Sequence, residues 1–160
     1  MSNKPYLTRF KIAQEFSYEQ ALAEIRDGKK TSHWMWYIFP QIAGLGKSEV
    51  AKKFEIADMQ EAEAYLNDEL LSQRLLEVTG ILAYDIQGKT AQEIFGFPDY
   101  LKFHSSLTLF YSAIQANEAW ANSNDYTCFK HALAKYYNGE LDRLTLEMLG
   151  RVVWMNEQWT

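Results

Sequence analysis

Lys30-Thr31-Ser32-His33-Trp34-Met35-Trp36-Tyr37-Ile38-Phe39-Pro40-Gln41 is the stretch on which the fold class turns. Its run of apolar residues from Trp34 to Phe39 suits either a buried strand or a short buried helix, and periodicity does not separate the two. The surroundings do. No other segment shows the alternation or turn spacing that would supply strand partners, and Pro40 closes the run where a helix end tolerates it. The stretch therefore reads as a short helix.

Upstream, Leu7, Phe10 and Gln14 share one helical face, and Ser17-Tyr18-Glu19-Gln20 has the form of a capping box that starts a second helix. That helix carries Tyr18, Ala21, Leu22 and Ile25 inward and ends at Gly28, with Glu19, Glu24 and Arg26 reading as a solvated face. Downstream, Gly44 and Gly46 bracket a turn, and helical spacing resumes from Ser48 through Val50, Ala51 and Phe54. Asp58 caps a helix bearing Ala62, Tyr65 and Leu66. Asn67 marks a break, after which Leu71, Leu75, Val78 and Leu82 repeat at spacings of four, three and four in a helix expected to end near Gly88.

Thr90-Ala91-Gln92-Glu93 is a further capping box, with Gly96 closing its short helix. Pro98 and Asp99 suit the first turn of the next helix, whose buried stripe is Phe103, Leu107, Phe110 and Ile114. A polar loop from Asn117 to Asn124 leads to a helix marked by Tyr126, Phe129, Leu133 and Tyr137, and a last one carries Leu141, Leu144 and Met148 up to Gly150. The expected architecture is an all-α, compact single domain over 1–160, with about eight to ten helices in an irregular orthogonal arrangement.

Composition sets the outer bounds. One domain of 160 residues with 48% hydrophobic and 23% charged side chains is globular, and its 15% aromatic share is high. A net charge of -5 speaks against a general nucleic-acid binder, which needs a clustered basic surface. Cys128 is alone, so no internal disulfide framework exists, and a reducing cytoplasm is the natural setting. No apolar run approaches the roughly 18 residues of a membrane span, and the N-terminus lacks a signal-peptide pattern.

Four motifs bear on function. Gly44-Leu45-Gly46-Lys47-Ser48 ends like a phosphate-binding loop, but Gln41 stands where the first glycine should be and no strand precedes it, so a tight turn with Ser48 as helix cap is the favoured reading. His33, His104 and His131 are scattered without companion ligands, so no metal site is expected. His33 is the only acid/base candidate, set beside Trp34 and Trp36, whose rings suit either the core or the wall of a ligand groove with Gln41. Lys102, with Ser105 and Ser106 three and four residues on, gathers a cation and two hydroxyls on one helix face, a set that can hold a phosphate or carboxylate or simply form a polar flank.

The Ser32–Gln41 stretch, Gly44-Leu45-Gly46 with Ser48, and Ile94-Phe95-Gly96 with Pro98-Asp99 resemble a largely bacterial domain-of-unknown-function family, serial 1810. The likeness continues in Lys102, Ser105-Ser106, Thr108-Leu109-Phe110, Gly139, Asp142 and Thr145-Leu146, and covers roughly Leu7 to Leu149. Leu107 stands where the family pattern more often has Met, a mild exchange in a core. The resemblance implies a compact, mostly helical domain and brings no activity, cofactor or partner.

From the residues themselves, the expected function is binding of a small anionic ligand between the aromatic stretch and the helix after Pro98. Its site is His33, Trp34, Trp36, Gln41, Lys102, Ser105 and Ser106. Neither a reaction nor a cofactor follows from any motif. The alternative is an interaction or assembly module, in which Trp154 and Trp159 of the tail over 150–160 pack on the domain or on a second copy.

Overall fold

Leu7, Phe10, Gln14, Tyr18, Ala21 and Ile25 are all buried, and their spacing never breaks step with the helical period. One helix results where two were expected: α1 spans Lys4–Arg26. The Ser17 box is not used as a cap. Its hydroxyl instead pairs with the Tyr37 phenol at 2.9 Å, and Gln20 donates to Glu24 at 2.7 Å. The computed structural model describes residues 4–157, with side chains described over residues 7–150.

Glu24 corrects the reading of a solvated face, because it is only 5% exposed. Its carboxylate accepts the backbone N–H groups of Thr31 at 2.8 Å and Ser32 at 2.9 Å, the Ser32 hydroxyl at 2.5 Å and the Trp34 indole N–H at 2.9 Å. Burial by itself raises the pKa of such a group. Here the hydrogen bonds from Ser32, Gln20 and Thr31 outweigh burial and hold the carboxyl well below the usual carboxylate range. The loop after α1 is thus folded back against the helix that precedes it.

From that anchor the chain enters α2 (Met35–Ile38), the short helix expected from the aromatic stretch. An isolated parallel bridge between Ile42 and Ile56 closes the next loop. At Gly46 a Cβ would lie 2.4 Å from the Ala51 Cβ, so the turn accepts no side chain there. Ser48 caps α3 (Glu49–Lys53), Asp58 caps α4 (Met59–Asn67), and Asp68 restarts the chain as α5 (Glu69–Gly80).

Instead of running on to Gly88, α5 widens into a π turn over Ile81–Asp85. Groups from far along the chain meet it there. Lys135 donates to the carbonyls of Leu82 at 3.0 Å and of Ile86, and the Tyr136 hydroxyl donates to Leu82 at 2.7 Å. These bonds satisfy carbonyls that a widened turn leaves free.

The Thr90 capping box opens α6 (Ala91–Phe95) as expected. After the cis Phe97–Pro98 peptide comes α7 (Asp99–Gln115), which touches α2, α4, α6 and the helices that follow it. Its expected stripe of Phe103, Leu107, Phe110 and Ile114 is buried, but so are Ser106, Thr108, Leu109 and Ala113. Six consecutive buried residues, 105–110, enclose the middle turns of α7 on every side, which makes it the central helix although its two ends reach the surface. Phe103 stacks on Phe95 at 4.6 Å and meets Phe39 edge-on at 4.9 Å, which ties the aromatic stretch to this axis.

The polar loop after α7 contains α8 (Glu118–Ala121) and a 3-10 turn over Asn124–Tyr126, and it leads into α9 (Thr127–Tyr137). The last helix, α10, spans Arg143–Glu157 and does not stop at Gly150. Its inward residues are Thr145 and Leu149, whereas Leu144 is 56% exposed. Asp142 sets this phase by accepting the Thr145 N–H at 3.1 Å and hydroxyl at 2.6 Å. The expected packing of Trp154 and Trp159 falls outside the described side chains. Among the described residues ten α-helices and no strand are present, and no helix is long and apolar enough to cross a membrane.

Replacing Glu24 by Gln sets an amide N–H₂ against donors that need an acceptor. It is expected to cost at least about 2 kcal/mol in urea unfolding at neutral pH. Because the folded-state pKa is depressed, the wild-type advantage is complete above the ordinary value of 4.5 and shrinks as pH falls below it. A constant difference between the two proteins down to strongly acidic pH contradicts this account.

Candidate functional site

The Glu24 clamp fixes Lys30 as well as Trp34. The Lys30 ammonium donates to the Ser32 carbonyl at 2.6 Å, pairs with the Asp99 carboxylate at 2.7 Å and lies 4.9 Å over the Trp34 ring. With its side chain 7% exposed, this lysine is enclosed by its partners. Asp99 occupies the first turn of α7, where a carboxylate also favours the helix dipole.

One turn further along α7, Lys102 reaches back to the other Asp99 oxygen at 3.7 Å and lies 5.1 Å over the Trp36 ring. Two ammonium groups therefore share one carboxylate. The short contact belongs to Lys30, so the Lys102 charge is only loosely matched, and its side chain is 28% exposed. An exposed cation held over an indole face is a surface that attracts an anion with an apolar body.

The structure sorts the residues expected at the site into two groups. Trp36 and Lys102 come together. Gln41 lies nearby, donating to the Phe39 carbonyl at 3.0 Å and lining, with Trp36, a cavity of only about 10 Å³, the size of one water. The Trp36 indole N–H is buried without an acceptor among the described residues. His33 is exposed, and its imidazole makes no hydrogen bond, ion pair or ring contact with Trp36, Lys102 or any other described residue, only its backbone carbonyl being engaged, by the Tyr37 hydroxyl at 3.4 Å.

The other group faces inward. Trp34 is buried in the core with its N–H given to Glu24. Ser105 donates to the Leu101 carbonyl at 3.1 Å and to Asp142 at 2.9 Å, which joins α7 to α10, and Ser106 is 1% exposed. These serines differ from the expected ligand-orienting pair because α7 is central: positions beside Lys102 on its surface run straight into a packed interface. Of the two rings expected to line the pocket, Trp34 fills the core and Trp36 stays partly exposed beside Lys102, which reduces the pocket to a shelf.

Lys30 and Asp99 were not assigned to the site from sequence, although Lys30 opens the decisive stretch and Asp99 precedes Lys102 by three residues, the spacing of helical neighbours. Glu24 had a signal too: it follows Ala21, which faces inward, by three residues. The other two histidines are engaged. The His104 ring stacks on Tyr137 at 4.0 Å and bonds the Glu140 carbonyl at 2.7 Å, and His131 pairs with the Tyr84 hydroxyl at 2.8 Å. Burial pushes the Cys128 thiol up to about 12, which keeps it protonated and inert. Among the described residues no three His, Cys, Asp or Glu side chains gather where they would hold a metal.

Comparison with known proteins bears on the fold. The family model described as "Protein of unknown function (DUF1810)" matches residues 4–149. The chain is also similar to the crystal structure of the conserved hypothetical protein Rv1873 from Mycobacterium tuberculosis. The two are 44% identical over 90% of this chain and 96% of that one, with a TM-score of 0.81. No curated protein matches.

Unequal sharing of Asp99 has a measurable consequence. Asp99→Asn strands the enclosed Lys30 charge and is expected to cost about 2–3 kcal/mol, whereas Lys30→Met leaves Asp99 with Lys102 and costs less, roughly 1–2 kcal/mol. The double variant is expected to cost little more than Asp99→Asn alone in denaturant titrations. Additive losses would show that the pair does not act as a unit.

Proposed function

The chain belongs to the DUF1810 family, whose description gives no activity, and we propose on that footing that it is a small-molecule-binding domain that takes an anionic group on the Trp36–Lys102 shelf. The observation that carries this reading is the Lys102 ammonium, poised over an indole face with one carboxylate contact at 3.7 Å. Lys102 supplies the charge and Trp36 the flat apolar surface. Gln41 lends an amide at the edge, and His33 is the acid/base group of the same surface. Trp34, Ser105 and Ser106 support the shelf from below and do not touch the ligand. A phosphate or a carboxylate satisfies the same cation, so the reading extends to both. A reducing cytoplasm fits it, since the lone cysteine is buried in the core.

The clamped loop gives the shelf its rigidity. Trp36 sits in α2, whose entry is fixed by Glu24 through Trp34, and Lys102 projects from the central helix. Neither element needs to be ordered when a ligand arrives, so little conformational entropy is lost on binding.

Thermal melting against a panel of phosphate- and carboxylate-bearing metabolites tests the reading. A ligand at a hundredfold excess over its dissociation constant adds about 2.7 kcal/mol to the folded state. At least one panel member is expected to raise the melting temperature of the wild type and of Lys102→Arg, and to do so far less in Lys102→Met and His33→Ala. No stabilisation by any member, or equal stabilisation of the wild type and Lys102→Met, sinks the proposal.

A further inference from the structure

Away from the shelf, two open concavities share a wall. One of about 230 Å³ lies between the C-terminal half of α7 and the α8 turn, bordered by Tyr111, Trp120 and Tyr126. The other, of about 280 Å³, runs between α7 and α9 toward Leu133 and Leu141. Tyr111 and Lys130 line both, so the two are lobes of one groove with a lysine at the junction. Its size falls at the lower end of small-ligand sites.

The groups around that junction are uncommitted. Among the described residues Lys130, on α9, makes no ion pair, hydrogen bond or ring contact, and the phenols of Tyr111 and Tyr126 have no hydrogen-bond partner. This contrasts with Lys30, Lys102 and Lys135, each of which is held by an acceptor. Trp120 and Tyr126 lie against each other at 5.8 Å between ring centres with their planes tilted by 48°, which makes an angled aromatic wall in the first lobe. The second lobe is walled by Leu133, Ala134 and Leu141.

We propose that this groove is a second binding site, distinct from the Trp36–Lys102 shelf, and that it takes a small aromatic carboxylate. The carboxylate pairs with Lys130 and accepts the Tyr111 hydroxyl. The ring rests on the Trp120 and Tyr126 faces, where offset and edge contacts are favourable. An apolar substituent extends toward Leu133 and Leu141. A single cation selects a monoanion, because a second negative charge would lose hydration without finding a partner. The absence of a second Lys or Arg among the residues of either lobe therefore disfavours a phosphate dianion.

The test uses 1-naphthoate and its neutral analogue 1-naphthylmethanol, with amide-resolved NMR titration of the full chain. The naphthoate is expected to produce saturable shifts centred on Tyr111, Trp120, Tyr126 and Lys130. Lys130→Met is expected to weaken binding about tenfold, the scale of one charge-assisted hydrogen bond. Lys130→Arg keeps most of the affinity, the neutral analogue behaves like the Met variant, and Lys102→Met leaves the titration unchanged. Lys130 is exposed and unpartnered, so its variants fold as the wild type does, which their unshifted core amides will verify. The proposal is overturned by the absence of saturable shifts up to about 10 mM, by equal affinity for the neutral analogue or for Lys130→Met, or by shifts confined to Trp36 and Lys102. Failure of the shelf reading leaves these outcomes untouched, since the two sites share no residue.

Discussion

Glu24 gives up hydration on the inner side of α1 and replaces it with donors from Gln20, Thr31, Ser32 and Trp34. A buried carboxylate left short of partners is strongly unfavourable, so the loop over residues 31–34 has one low-energy position, wrapped around those two oxygens. That position places the Trp34 indole in the core and leaves Lys30 pointing at the start of α7. Lys30 then draws Asp99 to within 2.7 Å, and the central helix is registered against α1 through a chain of charged contacts and not by apolar packing alone. Apolar packing is non-directional. The clamp and the ion pair supply the directions that it lacks.

A second polar arrangement repeats the device at the other side of α7. Asp142 accepts the hydroxyls of Ser105 and Thr145, while Thr108 accepts the Asp142 N–H at 2.8 Å. One carboxylate thus joins α7 to the first turn of α10 and also satisfies that turn's free backbone donor. Both arrangements follow the same rule: an acid wholly or partly withdrawn from water, as Glu24 and Asp142 are, is tolerated where a helix end or a loop brings several donors that need an acceptor. The aromatic contact of Phe39, Phe95 and Phe103 joins the end of α2 to α6 and α7 alongside these polar frames.

Much of the fold was legible in the sequence because its signals are local. Ser48, Asp58 and Thr90 cap the helices their positions announce, and the Leu71 to Leu82 repeat needs only its own period to be recognised. The failures arose where distant residues decide. Ser17 has a capping form but lies inside an unbroken stripe, and its hydroxyl finds Tyr37 instead of a backbone amide. The carbonyls of the π turn after α5 are satisfied by Lys135 and Tyr136, about fifty residues later in the chain, and no local pattern carries that information. The candidate site was legible as chemistry, since Trp36 and Lys102 do meet, but not as shape. Whether Ser105 faces a ligand or a neighbouring helix depends on α7 being central, which emerges only once all its neighbours are in place.

The two lysine–tryptophan pairs around Asp99 show how burial separates structure from function when the chemistry is the same. Lys30 over Trp34 and Lys102 over Trp36 have nearly equal geometry, at 4.9 and 5.1 Å from the ring centres. Lys30 is enclosed, with a short ion pair and a carbonyl acceptor, so any incoming anion would have to displace contacts that hold the fold. Lys102 keeps a long contact to the same carboxylate and a substantial exposed surface, and an anion can approach it without disturbing Lys30. Because Asp99 is already neutralised by the buried lysine, it does not cancel the outer one. The inner pair thereby leaves the outer pair with a net positive charge at the surface of an acidic protein, the charge on which the proposed anion site rests.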